Sequence, residues 1–272
     1  MKRFFFPVQP APAHLAGLGA LLAAGVLFPL NFLWSCIPLL IFVFSCTIAP
    51  FFPRCGYFLP LISRGGTTRR VVALTFDDGP DPGLTPTILS LLRQRGIKAT
   101  FFVTGKQTLR HPDLVRKIIE DGHTVGNHSF SHDVLLMLRS SRRLGGEIDE
   151  LQEILYLLGI SPRVFRPPVG ITNPRLGPVL CQRGMSCVTF DCRAFDAGNR
   201  RIEGLSDKLL KKIRPGSILL LHDIRNSEKM DSGKWLYEIE QLLDGIAARE
   251  YRIVPLQELI GRTVMEQALP IV

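Results

Sequence analysis

Two adjacent carboxylates, Asp77 and Asp78, close the apolar, β-branched run that starts at Val71. Such a run has the composition of a buried strand. A strand alternates its side chains, and a turn at Gly79-Pro80 breaks that alternation, so the two carboxylates can converge on one point. At close range they repel unless a positive group sits beside them. Alone, the stretch reads equally well as a solvated turn, because Asp, Gly and Pro are ordinary turn residues. The balance shifts downstream, where His128 and His132 stand four residues apart, a spacing that puts both on one face of a helical turn. Two His and one Asp are a sufficient ligand set for a catalytic zinc-type site with a position left open for water. Arg166 in Arg166-Pro167-Pro168-Val169-Gly170 and His222 in Leu219-Leu220-Leu221-His222-Asp223 place further polar groups at the ends of apolar stretches. Taken singly, Arg166 reads as a surface arginine and His222 as a core histidine bonded to a carbonyl.

The elements that would position these groups alternate. Predicted strands at Val71, Lys98–Val103, Thr124–Gly126, Arg163–Phe165, Met185–Asp191, Ser217–Leu221 and Tyr251–Val254 are separated by helical patterns. The helices are read at Leu84–Arg95, Pro112–Asp121, Leu144–Leu158, Pro174–Gln182, Ile202–Ile213 and Lys234–Arg249, several closed by a glycine. Alternation implies a parallel sheet, and polar groups at strand ends imply a barrel with its site at the C-terminal face.

Thr75-Phe76-Asp77-Asp78-Gly79-Pro80, His128-Ser129-Phe130-Ser131-His132, the Arg166 motif and Leu219-Leu220-Leu221-His222-Asp223, in this order, resemble the polysaccharide deacetylases (the NodB homology domain, carbohydrate esterase family 4). The resemblance covers roughly Arg70 to Ile260. Any one motif is weak; four in order are highly specific. The resemblance implies an α/β fold, a distorted seven-stranded (β/α) barrel, and metal-dependent removal of an N- or O-acyl group, acetyl first, from a carbohydrate. It also implies that Asp78, His128 and His132 bind a divalent metal, Zn2+ in first place and Co2+ or another divalent ion otherwise. Asp77 is then the catalytic base, Arg166 the residue holding that base, and His222 the general acid. A backbone amide near Val169 would contribute to an oxyanion hole. Two carboxylates in Phe190-Asp191-Cys192-Arg193-Ala194-Phe195-Asp196 stay open as the partner of His222, Asp191 and Asp196. Asp196 is preferred because the Arg-x-x-Asp spacing resembles that of some family members. Val169 stands where many members carry Tyr or Trp. His14, His111 and His123 lack ligand spacing with this set and read as bystanders.

The 272 residues permit one barrel-sized domain and an extension. The apolar share of 46% and mean hydropathy of +0.18 point to a membrane segment. Residues 1–66 are read as membrane segment and linker, and residues 67–272 as the catalytic domain. From Ala13 to Phe52 only His14 could carry charge. That is about twice the roughly 20 residues one span needs. Pro29-Leu30-Asn31 divides it into two short spans, 13–29 and 32–50, a transmembrane helical hairpin with a re-entrant one as the alternative. A cleaved signal peptide is disfavoured, since the apolar core is too long for one. Lys2 and Arg3 precede the pair, and Arg54, Arg64, Arg69 and Arg70 follow it. The positive-inside rule then predicts a multi-pass inner-membrane protein with its catalytic domain facing the cytoplasm; a single crossing would make it periplasmic. Six cysteines without a C-x-x-C pair argue against a secreted disulfide framework. The net charge of +9 suggests attraction to anionic surfaces. No basic run with interleaved aromatics suggests a nucleic-acid partner. The expected partners are the membrane and an acylated, lipid-linked, phosphate-bearing saccharide. The rival readings are a periplasmic peptidoglycan or exopolysaccharide deacetylase and a non-catalytic sugar-binding module.

Overall fold

A computed structural model describes residues 11–226 and 230–268. Lys2 and Arg3 lie outside the described residues. The chain opens with two apolar helices, α1 (Pro12–Leu27) and α2 (Phe32–Ile48), packed on each other. Asn31 caps α2 by accepting the Leu33 N–H. There follow β1 (Leu61–Ile62), β2 (Val71–Asp77), α3 (Thr85–Gln94), β3 (Thr100–Val103), α4 (Gly105–Arg110), α5 (Pro112–Glu120) and β4 (Thr124–Asn127). Next come α6 (Ser141–Leu157), β5 (Ile160–Pro162), β6 (Val164–Phe165), α7 (Leu176–Gln182), β7 (Ser186–Val188) and β8 (Cys192–Arg193). The chain continues through α8 (Leu205–Leu210), β9 (Ile218–His222), α9 (Ser232–Ala248), β10 (Arg252–Ile253), α10 (Leu256–Ile260) and β11 (Met265–Gln267).

The main sheet runs β1-β7-β6-β4-β3-β2-β9-β8, with β10 also paired to β2, and its named ladders are parallel. β2 is central and buried along its whole length, and its one polar residue before Asp77, Thr75, donates its hydroxyl to the Leu219 carbonyl at 2.7 Å. Its alternation sorts two cores. Val72, Leu74 and Phe76 pack outward under the helices, with Ile88, Leu92, Leu242 and Trp235. Val71 and Ala73 point into the sheet's concave side with Phe102, Val188 and Leu220. Thr75 and Asp77 share that inner face by the period of two. Register aligns the strand ends: Asp77 is level with Phe102 and His222, Val103 with Asn127, and Asn127 with Phe165. Each motif therefore leaves its strand at the same rim. Gly126 is required where β4 passes β3, since a Cβ there would lie 2.5 Å from the Phe102 ring.

The α/β architecture stands, but the barrel is a half-barrel. Its ladder ends at β1 on one edge and β8 on the other. The predicted fifth strand, Met185–Asp191, is strand only over Ser186–Val188, against β6 and β1; its ladder stops at Thr189–Asp191, and Cys192–Arg193 beyond it pair with β9. At that break the carbonyls of Val188 and Thr189 accept from the Arg166 side chain. Leu61–Ile62, read as linker from sequence, instead supplies the edge strand beside β7. β5 and β11 form a separate antiparallel pair.

Among the described residues one helix, Phe32–Phe51, is long and apolar enough by length and composition to cross a membrane. The 16 residues of α1 fall short.

Candidate metal and acid–base site

Asp78 leaves β2 with φ 77°, in the left-handed region. That turn cancels the strand's alternation and brings the Asp78 carboxylate round to the side of Asp77. Gly79 permits it, because any Cβ there would meet the Asp223 carboxylate at 2.2 Å. Asp223 holds the turn by accepting the Gly79 N–H at 3.0 Å and the Thr85 hydroxyl at 2.9 Å. Burial first, then the charge of Asp78, raises the Asp223 pKa well above the usual carboxylate range.

His128 and His132 do not share a helical turn, as their spacing predicted. They sit on the loop after β4, with Ser129 at φ 67° and His132 at φ 54°. Two left-handed residues in five wind the loop tightly enough to bring the rings to 4.9 Å. Asn127 steadies it by accepting the Ser129 N–H at 2.9 Å, and Glu147 of α6 accepts the Ser131 N–H at 2.7 Å. Such conformations cost strain in non-glycine residues and persist where surrounding structure imposes them.

The donor atoms of Asp78, His128 and His132 lie within 4.8 Å of one another. Asp78 Oδ1 is 3.1 Å from His132 Nε2 and 3.4 Å from His128 Nε2, and this buried oxygen accepts no hydrogen bond. His128 Nδ1 faces the Arg166 carbonyl at 2.8 Å. A carbonyl only accepts, so Nδ1 carries the proton and Nε2 presents its lone pair to the cluster. Burial lowers the His132 pKa, as does its neighbour His128, which keeps this imidazole neutral. Burial opposes ionisation of Asp78, yet the neighbouring imidazoles of His128, His222 and His132 hold its carboxyl well below the usual range. An orphaned buried carboxylate oxygen and two imidazole lone pairs fit a divalent cation of zinc type.

Asp77 lies at the same point with a different partner. Its Oδ1 accepts from Arg166 Nη1 at 2.6 Å, and its Oδ2 is 3.7 Å from His128 Nε2. Arg166 is wholly buried, stacks 4.0 Å above the Phe102 ring and also donates to Thr75 Oγ1 at 2.8 Å. A planar guanidinium with every neighbour assigned fixes the carboxylate's position as a lysine could not.

On the opposite wall, His222 Nδ1 meets Asp196 Oδ2 at 2.8 Å. Asp191 is elsewhere: it accepts from the Ile218 N–H at 3.0 Å and from Arg214 at 2.9 Å. Of the two carboxylates left open by the sequence, Asp196 is the one in contact. Burial would lower the His222 pKa, but Asp196, then Asp78 and Asp77, outweigh it and push it up to about 9. Asn199 was not foreseen. Its N–H donates to Asp196 Oδ2 at 3.1 Å, and its side chain donates to the His222 carbonyl at 2.8 Å. Trp235, fully buried, donates to Asn199 Oδ1 at 3.0 Å. No local sequence signal joins these three, since the contacts span up to 36 residues.

These groups share one cleft of about 730 Å³, lined also by Val169, Phe190, Arg193 and Phe195. Val169, at φ 52°, stands exposed on its rim. His14, His111 and His123 lie outside this lining; His123 is buried and accepts the Ala99 N–H.

The profile of the family described as polysaccharide deacetylase matches residues 64–188, a stretch that holds Asp77, Asp78, His128, His132 and Arg166 and stops short of Asp196 and His222. A peptidoglycan-N-acetylglucosamine deacetylase of Bacillus cereus is 32% identical over 193 residues, 70% of this chain and 88% of that protein. The chain belongs to the polysaccharide deacetylase family. Its members are carbohydrate-deacetylating hydrolases, and this enzyme class is the chain's own. The peptidoglycan-N-acetylglucosamine deacetylase PgdA of Listeria monocytogenes is 30% identical over 75% of this chain, which spans only 41% of that longer protein. The crystal structure of the Bc1960 peptidoglycan N-acetylglucosamine deacetylase superposes with a TM-score of 0.69 at 27% identity, covering 75% of this chain and 94% of that one.

Proposed function

We propose that this polysaccharide deacetylase is a membrane-anchored, metal-dependent enzyme that hydrolyses the N-acetyl group of an acetylated amino sugar carried on a lipid-linked saccharide. The observation that carries the chemistry is the convergence of Asp77, Asp78, His128, His132 and the His222–Asp196 pair in one cleft. A module that only bound sugar would have no use for a buried base, an ordered acid and a three-donor cluster together. Asp78, His128 and His132 would hold the cation. When bound, it supplies Lewis acidity toward the acyl carbonyl and the attacking water.

The remaining work falls to the chain. Asp77, held by Arg166, takes a proton from water through Oδ2 as the water oxygen adds to the acyl carbon. His222, protonated and fixed by Asp196, gives its proton to the sugar nitrogen as the C–N bond breaks. The products are acetate and a free amine. Purified chain given an N-acetylated chito-oligosaccharide and a divalent metal should release both in equal amounts. Sugar binding without release of either would return the chain to the binding-module reading.

The pH dependence follows from His222. A folded pKa raised to about 9 means that the acid form is present below that pH and lost above it. A cation beside Asp78 offsets the share owed to Asp78 and Asp77, but the Asp196 contact remains. The alkaline limb of the rate profile should therefore lie above the ordinary imidazole range of about 6.5. His222→Gln should remove that limb and lower the plateau by about 10²–10⁴, with metal content kept. An unchanged limb would make His222 a structural residue.

The anchor is supported by the outward display of Leu33, Leu40 and Phe44 from α2. The Ala13 N–H donates to the Tyr57 carbonyl at 2.9 Å, so the outer ends of the helix pair meet beside the catalytic domain. With Arg54, Arg64, Arg69 and Arg70 following, the positive-inside rule favours a cytoplasmic catalytic domain. The length of α1 favours a second reading, one crossing by α2 and a periplasmic enzyme acting on peptidoglycan. Protease digestion of the catalytic domain in intact spheroplasts would establish the second; protection until lysis is the outcome of the first.

A further inference from the structure

The apolar helices are seated on the wall of the cleft. Beyond α2, Pro53 lies against Gly170, and the Pro53 carbonyl accepts the Thr189 hydroxyl. Arg54 donates to the Asp191 carbonyl. Tyr57, whose hydroxyl is 2.7 Å from Ser45 of α2, precedes Phe58 and Leu59, which share a buried cluster with Ala49, Leu136 and Met137. Gly170 and Phe190 line the cleft, so its wall and the emerging end of α2 are in contact. The loop after His132 flanks the same place, and its Val134, Leu135 and Leu138 are exposed. A helix pair in a bilayer would therefore hold the cleft at the lipid headgroups.

Arginines also line the cleft. Arg193 lines it, resting 4.1 Å from the Phe195 ring and 5.5 Å from that of Phe190. Among the described residues it pairs with no carboxylate. Burial, then the like charge of Arg54, lowers its pKa against the opposing charge of Asp196. Arg200 and Arg201 line the same cleft and are exposed. Three arginines lining one cleft, one of them stacked against two rings, suit a phosphate oxygen.

We propose that Arg193, with Arg200 and Arg201, forms a subsite for the phosphate that joins sugar to lipid. The acetylated sugar then reaches the Asp78–His128–His132 cluster while the lipid stays beside α2. The inference rests on the deacetylase reading above and specifies its substrate. Phosphate is also found on soluble nucleotide sugars; the position of α2 selects the lipid-borne source.

The test is equilibrium binding to the full chain in phosphatidylcholine nanodiscs, in an Asp77→Asn background that spares the ligand. The probes are N-acetylglucosaminyl diphosphate polyprenol, the uridine diphosphate ester of the same sugar, and neutral di-N-acetylchitobiose. The lipid-borne probe should bind at least about ten-fold tighter than the nucleotide sugar, and the nucleotide sugar tighter than chitobiose. Arg193→Gln should weaken the lipid-borne probe by about ten-fold, the size of one charge-assisted hydrogen bond. Arg201→Gln, at an exposed position, should weaken it in the same direction without risk to folding. Equal binding of chitobiose and the lipid-borne probe, or an order untouched by both substitutions, would overturn the subsite. A nucleotide sugar binding as tightly as the lipid-borne one would overturn the lipid source. Binding in the expected order by a chain that releases no acetate in the wild-type form would count against the deacetylase reading and leave the subsite standing.

Discussion

His132→Ala is expected to abolish tight binding of a divalent metal and acetate release together. Three protein donors converge here, and removing one leaves the ion too few. Changes to groups that merely orient a metal's ligands cost about 10–100-fold in affinity or activity, and loss of a ligand itself exceeds that. His132 is the cleaner of the two histidines to change. Its side chain is 28% exposed, whereas that of His128 is 2% exposed and also bonds the Arg166 carbonyl. His128→Ala should therefore lose metal and some stability, and His132→Ala metal alone. Elemental analysis beside thermal unfolding separates the two. Full metal occupancy in both variants would remove these residues from the cation site.

Asp77→Asn should keep the metal and lower kcat by about 10²–10⁴, the usual worth of a positioned base. The amide keeps an oxygen for Arg166 but loses the charge that pairs it. A buried cation deprived of its counter-charge is costly, so the melting temperature should also fall. Metal content keeps the two adjacent carboxylates distinct. If Asp77→Asn empties the site as fully as Asp78→Asn does, the roles of the two carboxylates are reversed.

The site was legible in the sequence where chemistry and strand ends coincide. Asp77 and His222 each close an apolar strand, and parallel register alone puts them level. Local signals misled where the backbone leaves regular structure. The spacing of His128 and His132 suggested a helical turn, but left-handed Ser129 and His132 make a wound loop. Spacing favoured Asp196 over Asp191 by resemblance alone; the physical ground, that Asp191 is occupied by the Ile218 N–H and Arg214, is not local in sequence. Arg166 was legible as the holder of Asp77. Its bonds to the Val188 and Thr189 carbonyls, where the ladder breaks, span 22 and 23 residues that no local pattern joins. The Asn199–Trp235 support of His222 was hidden for the same reason.

The central claim is that one cation on Asp78, His128 and His132 drives acyl hydrolysis. The direct measurement is a titration of Zn2+ into chelator-treated, metal-free chain while acetate release from an N-acetylated chito-oligosaccharide is followed. The account predicts no release at the start, a linear rise, and a plateau at one equivalent of metal per chain. Full acetate release by the metal-free chain would contradict it.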